Sequence, residues 1–224
     1  MIEPASGVLP LLVRSRGVLP YEPTWREMQA FTAARGPETP DELWLLQHPP
    51  VYTLGLAGKT EHLLEASEVP VVKIDRGGQI TYHGPGQAVI YLLIDLHRRK
   101  LMVRQLVRLL EQALIDVLAH WGITAERRDG APGVYVAEAK VAALGLKISR
   151  GCSYHGLALN VDMDLSPFDR INPCGYEGLA CTRLHDLGVM ATVEEAHAQL
   201  ATRLVQLLNE LPNQLPAAVP ATAQ

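Results

Sequence analysis

Cysteine, aromatic residues and long hydrophobic stretches are all scarce in this sequence. Three cysteines are too few for a disulfide scaffold, and their odd number leaves at least one thiol unpaired. There is no CxxC pair, so the sequence offers little support for a structural zinc site. The longest uninterrupted apolar run, Ala88–Ile94, is much shorter than the roughly 20 residues of a membrane-spanning helix. The simplest compartment for such a chain is a reducing cytoplasm.

Charge balance and length narrow the class of protein further. With 20 basic and 24 acidic residues, the net charge of −4 excludes a global positive field that would recruit nucleic acid or an anionic membrane. A chain of 224 residues can bury roughly 70% of its unfolded surface around one core. The first residues include Glu3 and no basic cluster, so we do not expect a signal peptide. These features predict a soluble globular protein.

Strand-like segments alternate with helices along the chain. Apolar residues recur every three or four positions over 103–121, which predicts one long helix, and Thr192 with Glu195 predicts the capping box of another. Segments rich in β-branched residues and bounded by glycine predict strands at 7–13, 43–47, 51–54, 71–74, 79–83, 88–95, 123–127, 133–137, 140–149 and 152–162. We predict one α/β domain over 1–211 and a loose tail at 212–224.

The segment Arg76–Gln87, RGGQITYHGPGQ, combines four glycines with polar side chains. Glycine lets the backbone adopt positive φ and approach a ligand closely. Alternation along a strand places Gln79, Thr81 and His83 on one face, with the donors of Arg76 at the entrance. No long helix follows the glycines, which excludes the Walker and dinucleotide patterns. The segment is therefore either a ligand-binding loop or a pair of hairpin turns.

Cys174 is the cysteine with the most unusual neighbours. It lies in Asn172–Gly175 (NPCG), where proline stiffens the turn before it and glycine frees the turn after it, as at many catalytic loop corners. Cys152 and Cys181 are more easily interpreted as small packing residues. A nucleophilic thiol needs a partner that takes its proton or stabilises the thiolate. The candidate partners are His83, His155, Lys140 and Lys147.

Strand alternation separates these candidates. On the strand 140–149, Lys140 shares a face with apolar residues such as Ala142, whereas Lys147 lies on the other face. A desolvated ammonium is disfavoured, which suits Lys140 to act as a base or as the ion-pair partner of a thiolate. The alternative is that Lys140 marks a strand end and reaches water. His155 also falls on an apolar strand face, where a histidine is more often a hydrogen-bonded core residue.

Three motifs in this order carry a family resemblance. They are RGGQITYHGPGQ at 76–87, KVAALGLKISRGCSYHGLALNVDMDLSPF at 140–168 and INPCG at 171–175, and QHPPVYTLG at 47–55 fits as well. Together they closely resemble the lipoyl(octanoyl) transferases, the octanoyl-acyl-carrier-protein:protein N-octanoyltransferases of lipoate biosynthesis. The similarity extends over most of the chain, from about Val8 to Leu211.

The resemblance implies a mixed β-sheet flanked by helices, like the catalytic module of biotin and lipoate protein ligases. It implies that Cys174 is the nucleophile, carrying the octanoyl group as a thioester, and that Lys140 is its catalytic partner. His155 would be a supporting residue, and at Lys147 an arginine is commoner in the family. The implied substrate-binding residues are Arg76, Gly77, Gly78, Gln79, Ile80, Thr81, Tyr82, His83, Ala143, Leu144, Gly145, Gly156, Leu157 and Ala158.

The resemblance also implies a set of partners. The donor would be octanoyl-acyl-carrier protein, with the octanoyl group on a phosphopantetheine arm, and no cofactor, ATP or metal would be needed. The acceptors would be lipoyl domains of 2-oxoacid dehydrogenase E2 subunits and glycine cleavage H protein. The enzyme would be a cytoplasmic monomer that contacts neither nucleic acid nor membrane.

Other functions remain open at this point. An ATP-dependent lipoate or octanoate ligase of the same fold would not need Cys174, and a Cys-His thioesterase would pair it with His83 or His155. A non-catalytic module that binds lipoyl groups or a carrier protein would show no turnover.

A local basic cluster offers a surface for acidic partners despite the negative net charge. Arg104 and Arg108 are one helical turn apart and face alike. The cluster is either a docking surface or a solvated helix face. Its members are Arg98, Arg99, Lys100, Arg104 and Arg108, with Arg127 and Arg128 beyond the helix.

Overall fold

The structure is a computed structural model that describes residues 9–59, 62–64, 68–172 and 178–210. Strands outnumber helices in the described residues. Within this part of the chain the helices are α1 (Tyr21–Ala34), α2 (Val103–His120) and α3 (Val193–Glu210). The strands are β1 (Leu11–Val18), β2 (Asp41–Gln47), β3 (Val51–Leu54), β4 (Val71–Lys73), β5 (Ile80–His83), β6 (Gln87–Leu93), β7 (Val134–Val136), β8 (Ala139–Ser149) and β9 (Cys152–Asn160).

The strands form two sheets. The larger has the order β1-β2-β6-β9-β8-β7, in which β1 and β2 are parallel and the other pairs antiparallel. The smaller has the order β4-β3-β5, with β3 parallel to β4 and antiparallel to β5. The predicted mixed sheet flanked by helices is therefore confirmed.

Alternate residues of the large sheet pack against helices on opposite faces. On β6, Ile90 and Leu92 join α2 and α3 in one core cluster, whereas Val89 and Tyr91 join α1 in a second. This is the two-residue alternation of a strand buried on both faces. A third cluster lies against the small sheet, where Tyr52, Ile80, Tyr82 and Phe168 meet. The candidate site forms between the two sheets.

Local signals define the end of α2 and the start of α3. Gly122, with φ of +76°, follows α2, where glycine adopts the left-handed conformation without strain. At the start of α3 the Thr192 amide donates to Glu195 Oε2 at 2.8 Å, and the Glu195 amide donates to Thr192 Oγ1 at 3.1 Å. The capping box is confirmed. None of the helices in the described ranges combines the length and hydropathy needed to cross a bilayer.

Two predicted strands are placed differently in the structure. The first is Leu11–Val18 rather than 7–13; as an edge strand it tolerates the polar Arg14–Arg16 stretch. The segment 123–127 contributes only an isolated bridge, between Glu126 and Tyr135. Its Arg127 instead donates to the Arg108 carbonyl of α2 at 3.3 Å, which keeps this segment along the helix.

Part of the predicted basic cluster forms ion pairs with a buried carboxylate. Asp41 pairs with Arg35, Arg98 and Arg99, all with largely buried side chains. Arg99 also donates to the carbonyl of Leu208 in α3 at 3.2 Å. Arg98 and Arg99 therefore connect their own segment to β2 and α3, and their inclusion in an exposed basic cluster is wrong.

We expect Asp41→Asn to destabilise the protein strongly, because it leaves three buried guanidinium groups without a counter-charge. Urea denaturation should show a loss of about 3–5 kcal/mol in the free energy of unfolding. The matched control is Asp116→Asn, since Asp116 pairs with Arg203 at a partly exposed site and should cost under about 1 kcal/mol. Equal losses for the two variants would contradict the structural role of Asp41.

Candidate active site

A narrow cavity of about 50 Å³ lies between the glycine-rich loop, strands β8 and β9 and helix α1. Its inner end is formed by deeply buried side chains, whereas Gln79, Thr81 and the 143–145 stretch at its mouth are half-buried. It is lined by Tyr21, Arg76, Gly78, Gln79, Ile80, Thr81, His83, Val89, Tyr91, Ala143, Leu144, Gly145, His155, Gly156, Leu157 and Ala158. The structure therefore brings together residues from all three predicted substrate-binding segments.

Two predicted binding residues do not line this cavity. Tyr82 packs beside Tyr52 and Phe168 on the other side of the small sheet, as the alternation of β5 requires. Gly77 instead donates its amide to the Leu146 carbonyl of β8 at 3.0 Å. This bond attaches the glycine-rich loop to the large sheet.

Arg76 lies at the junction of the two sheets. It is only 7% exposed, and its Nη2 donates to the Thr53 carbonyl at 2.8 Å and to Thr53 Oγ1 at 2.9 Å. Nη1 donates to the Gly77 carbonyl at 2.9 Å. A Cβ at Gly145 would lie 2.7 Å from Arg76 Cδ, and one at Gly55 would lie 2.4 Å from the Gly78 carbonyl oxygen. Glycine is therefore required at both positions.

Asp75 organises the polar side of the site. Its carboxylate accepts hydrogen bonds from Trp25 Nε1 at 2.8 Å, Gln29 Nε2 at 3.1 Å, His155 Nε2 at 3.1 Å and the Tyr154 hydroxyl. Partial burial opposes the charge, but these four donors outweigh it and hold the pKa of Asp75 well below its usual range. A charged Asp75 therefore links α1, the glycine-rich loop and β9.

His155 does not have the orientation that strand alternation predicts. Both Tyr154 and His155 contact Asp75, although successive strand residues normally point to opposite faces. The φ of His155 is +62°, a left-handed conformation that is uncommon for a non-glycine residue and turns its ring toward the Tyr154 side. The next residue, Gly156, leaves no room for a side chain, because a Cβ would lie 2.1 Å from the Ile90 carbonyl oxygen.

The inner end of the cavity is a hydrogen-bonded set of neutral groups. His48 Nδ1 donates to the Leu19 carbonyl at 2.6 Å, so its neutral ring accepts the Tyr91 hydroxyl through Nε2, also at 2.6 Å. Tyr91 in turn bonds Tyr21, whose hydroxyl lies 3.4 Å from His155 Nδ1. We call Tyr21, His48, His83, Tyr91 and His155 the neutral floor.

Burial keeps these groups uncharged. Desolvation lowers the pKa of His48 to about 4 and of His83 to about 3, and it lowers the pKa of His155 as well. It raises the pKa of Tyr21 and Tyr91 above the ordinary tyrosine value. The neutral floor suits the uncharged end of a ligand and disfavours a charged one.

Lys140 is buried, as predicted, with 3% of its surface exposed. Its Nζ donates to the Pro132 carbonyl at 3.1 Å and lies 5.2 Å from the centre of the Tyr135 ring. A Cβ at Gly133 would lie 2.8 Å from Lys140 Cε, so a glycine there makes room for the lysine stem. The expected desolvation of this amine is confirmed.

A bulge in β8 changes the face on which Lys140 lies. Val134 pairs with Ala142 and Tyr135 with Lys140, so β8 has one extra residue at Val141. Val141 and Ala142 accordingly both pack in the first core cluster. The predicted alternation that puts Lys140 on the face of Ala142 does not hold across this bulge.

Cys174 lies outside the described residues, and its role as nucleophile stays a prediction. The chain that follows it returns to Lys140: the Lys140 amide donates to the Ala180 carbonyl at 2.8 Å, and the Thr182 amide donates to the Lys140 carbonyl at 3.0 Å. Cys181 packs partly buried against the third core cluster and Cys152 is buried in β9, which agrees with their interpretation as packing residues. In Cys152, burial raises the thiol pKa, opposite to what a nucleophile needs.

Several residues of the neutral floor carry no signal in the sequence. Tyr21 and Tyr91 read as ordinary core positions of a helix and a strand, and His48 as part of a proline turn. Only the fold shows that they meet at one cavity. Within the described residues no group of histidine, cysteine and acidic side chains is arranged to hold a metal ion.

The fold is that of protein ligases acting on lipoate and biotin. A bipartite lipoate protein ligase from Thermoplasma acidophilum superposes with a TM-score of 0.67 at 14% identity, covering 92% of this chain and 84% of that one. The biotin protein ligase of Aquifex aeolicus superposes with a TM-score of 0.55 at 12% identity, covering 92% and 73%. At these identities the likeness establishes the architecture only.

Sequence similarity shows to which family of this fold the chain belongs. Residues 20–205 match the family described as the lipoyl protein ligase A/B catalytic domain, and the chain belongs to that family. A relative from Dechloromonas aromatica, named octanoyltransferase, is 61% identical over 202 residues, covering 90% of this chain and 98% of the relative. Another octanoyltransferase, from Aromatoleum aromaticum, is 63% identical over 203 residues, covering 91% and 88%.

The histidines of the neutral floor predict a loss of stability in acid. The pKa of a histidine is near 6.5 in the unfolded chain, whereas in the folded protein it is about 4 for His48 and about 3 for His83. Between pH 6.5 and these lower values, the unfolded state therefore binds more protons than the folded state. The free energy of unfolding should therefore be highest above pH 6.5 and fall toward pH 4, by up to about 1.4 kcal/mol per pH unit for each histidine. Urea denaturation across this range measures the slope.

The variant His83→Gln should reduce that slope by the contribution of one proton, and the exposed His120→Gln is the matched control. An unchanged slope in His83→Gln would contradict burial of a neutral imidazole at this position.

Proposed function

We propose that this protein transfers an octanoyl group from an acyl-carrier protein to a lysine amine of a lipoyl domain. The observation that carries the proposal is the buried amine of Lys140, three residues before the stretch of β8 that lines a cavity with a neutral floor. Family membership and the shared name of the 61–63% identical relatives support octanoyl as the group transferred.

In the first half-reaction, the Cys174 thiol gives its proton to the Lys140 amine and attacks the donor thioester. A bond forms between the acyl carbon and the Cys174 sulfur, and the bond to the phosphopantetheine sulfur breaks. The leaving thiolate takes the proton back from Lys140. Because one thioester replaces another, the step is nearly isoenergetic, and we propose that neither ATP nor a metal is needed.

In the second half-reaction, the amine of the lipoyl-domain lysine attacks the acyl carbon held on Cys174. The new carbon–nitrogen bond replaces the carbon–sulfur bond, and the proton lost by the amine passes through Lys140 to the departing thiolate. An amide is more stable than a thioester, so this step drives the transfer forward. Lys140 thus acts as proton acceptor and donor in both halves.

The cavity gives the acyl chain an environment that matches its chemistry. Leu144, Leu157 and Ala158 supply apolar contacts along its wall, and the neutral floor presents no charge to the chain's end. Backbone amides of the 143–145 stretch at the mouth are candidates for stabilising the negative oxygen that develops on the acyl carbonyl. This arrangement favours an apolar, uncharged acyl group.

We expect Cys174→Ala to abolish transfer of octanoyl from carrier protein to lipoyl domain, because no thioester intermediate can form. Lys140→Met keeps the length of the side chain but removes its amine, and should lower kcat by about a hundredfold or more. The matched control is Cys152→Ala, which removes a buried thiol from outside the site. Formation of octanoylated lipoyl domain, followed by mass spectrometry, measures all three.

Full activity in Cys174→Ala would contradict the proposal. Activity that appears only with free octanoate and ATP would identify the chain as a ligase instead.

A further inference from the structure

The N-terminal part of α2 presents an exposed surface that is both apolar and basic. Met102 and Val103 are 69% and 43% exposed, which is unusual for large hydrophobic side chains that begin a helix. Arg104 and Arg108 are also exposed and lie one helical turn apart. We call these four residues the α2 patch. Apolar groups flanked by cations are typical of surfaces that bind an acidic protein partner.

The two arginines of the α2 patch form no ion pair within the described part of the chain, in contrast to their neighbours. Arg127 pairs with Glu111 at 3.2 Å, and Arg128 with Glu138 at 2.9 Å. The α2 patch therefore has two positive charges outside any ion pair in the described residues, although Glu111, Asp129 and Glu210 also line the groove beside it.

A groove leads from the α2 patch toward Lys140. It encloses about 920 Å³, and Arg104, Arg108 and Pro132 all line it. Its far end is the turn whose Pro132 carbonyl accepts the Lys140 amine, and Glu111 of α2 accepts the Gly133 amide of the same turn at 3.3 Å. From Arg104 to Glu111 the helix rises about 10 Å, at about 1.5 Å per residue.

We propose that the α2 patch is the docking site of the acyl donor, a carrier protein with an acidic surface, and that the donor's acyl-bearing arm follows this groove to Lys140. The inference rests on the function proposed above. A donor that carries its acyl group on a long flexible arm needs an open channel between its docking surface and the reacting groups, and the groove provides one. An acceptor lysine belongs to the surface of the docking protein itself and needs no such channel.

The double variant Arg104→Glu/Arg108→Glu tests the proposal through two donors. With octanoyl-carrier protein, kcat/KM for acylation of the enzyme should fall about tenfold or more at low salt, because the two glutamates repel the acidic donor that the arginines attract. With octanoyl-pantetheine, which has the thioester but no protein, kcat/KM should equal that of the wild type. The milder Arg104→Gln/Arg108→Gln should give a smaller loss with the carrier protein alone.

The matched control is Arg26→Glu, at an exposed position of α1 on the opposite face of the large sheet. It also makes the net charge more negative and should leave both donors unaffected. Raising the salt concentration should narrow the difference between wild type and the double variant with the carrier protein.

Two results would overturn the proposal. One is equal kcat/KM for wild type and double variant with the carrier protein. The other is a loss confined to discharge of the acyl-enzyme by lipoyl domain, which would assign the α2 patch to the acceptor. Failure of the proposed function looks different, because then even the wild-type enzyme forms no acyl adduct from either donor.

Discussion

The buried guanidinium of Arg76 is the interaction on which the rest of the site depends. Its bonds to Thr53 fix the small sheet, and the adjacent Gly77 amide fixes the loop to β8 of the large sheet. The cavity is the space that remains between these two attachments. Gly55 and Gly145 are needed because any side chain there would collide with Arg76 or its loop. The glycine-rich segment therefore joins the two sheets as well as lining the cavity.

The site contains two kinds of polar group at different positions, the neutral floor and the amine of Lys140. The neutral floor lies at the inner end of the cavity, where burial suppresses charge and neighbours such as Leu19 and Asp75 complete its hydrogen bonds. Lys140 lies outside that floor, and its amine donates to the carbonyl of Pro132, a residue that lines the groove. Under the proposed function, this separation would let an uncharged chain enter the cavity while Lys140 exchanges protons outside it.

Sequence reasoning predicted the sheet, the long helices and most of the cavity wall, because these follow from periodicity, capping and recognisable motifs. It failed where one residue breaks a strand's alternation: the bulge at Val141 and the left-handed backbone at His155 each change the face of a catalytic candidate. Sequence reasoning also placed Arg98 in the same cluster as the exposed Arg104. The buried partner of Arg98 is Asp41, which lies far away in the sequence and could not be recognised from local pattern. Such long-range pairings are set by the fold and not by local pattern.

The most direct test of the central claim is an intact mass of the protein after mixing with octanoyl-carrier protein, without ATP and without lipoyl domain. The account predicts the gain of one octanoyl group, absent in Cys174→Ala and discharged when lipoyl domain is added. An unmodified mass, with product forming only when ATP and free octanoate are supplied, would contradict it.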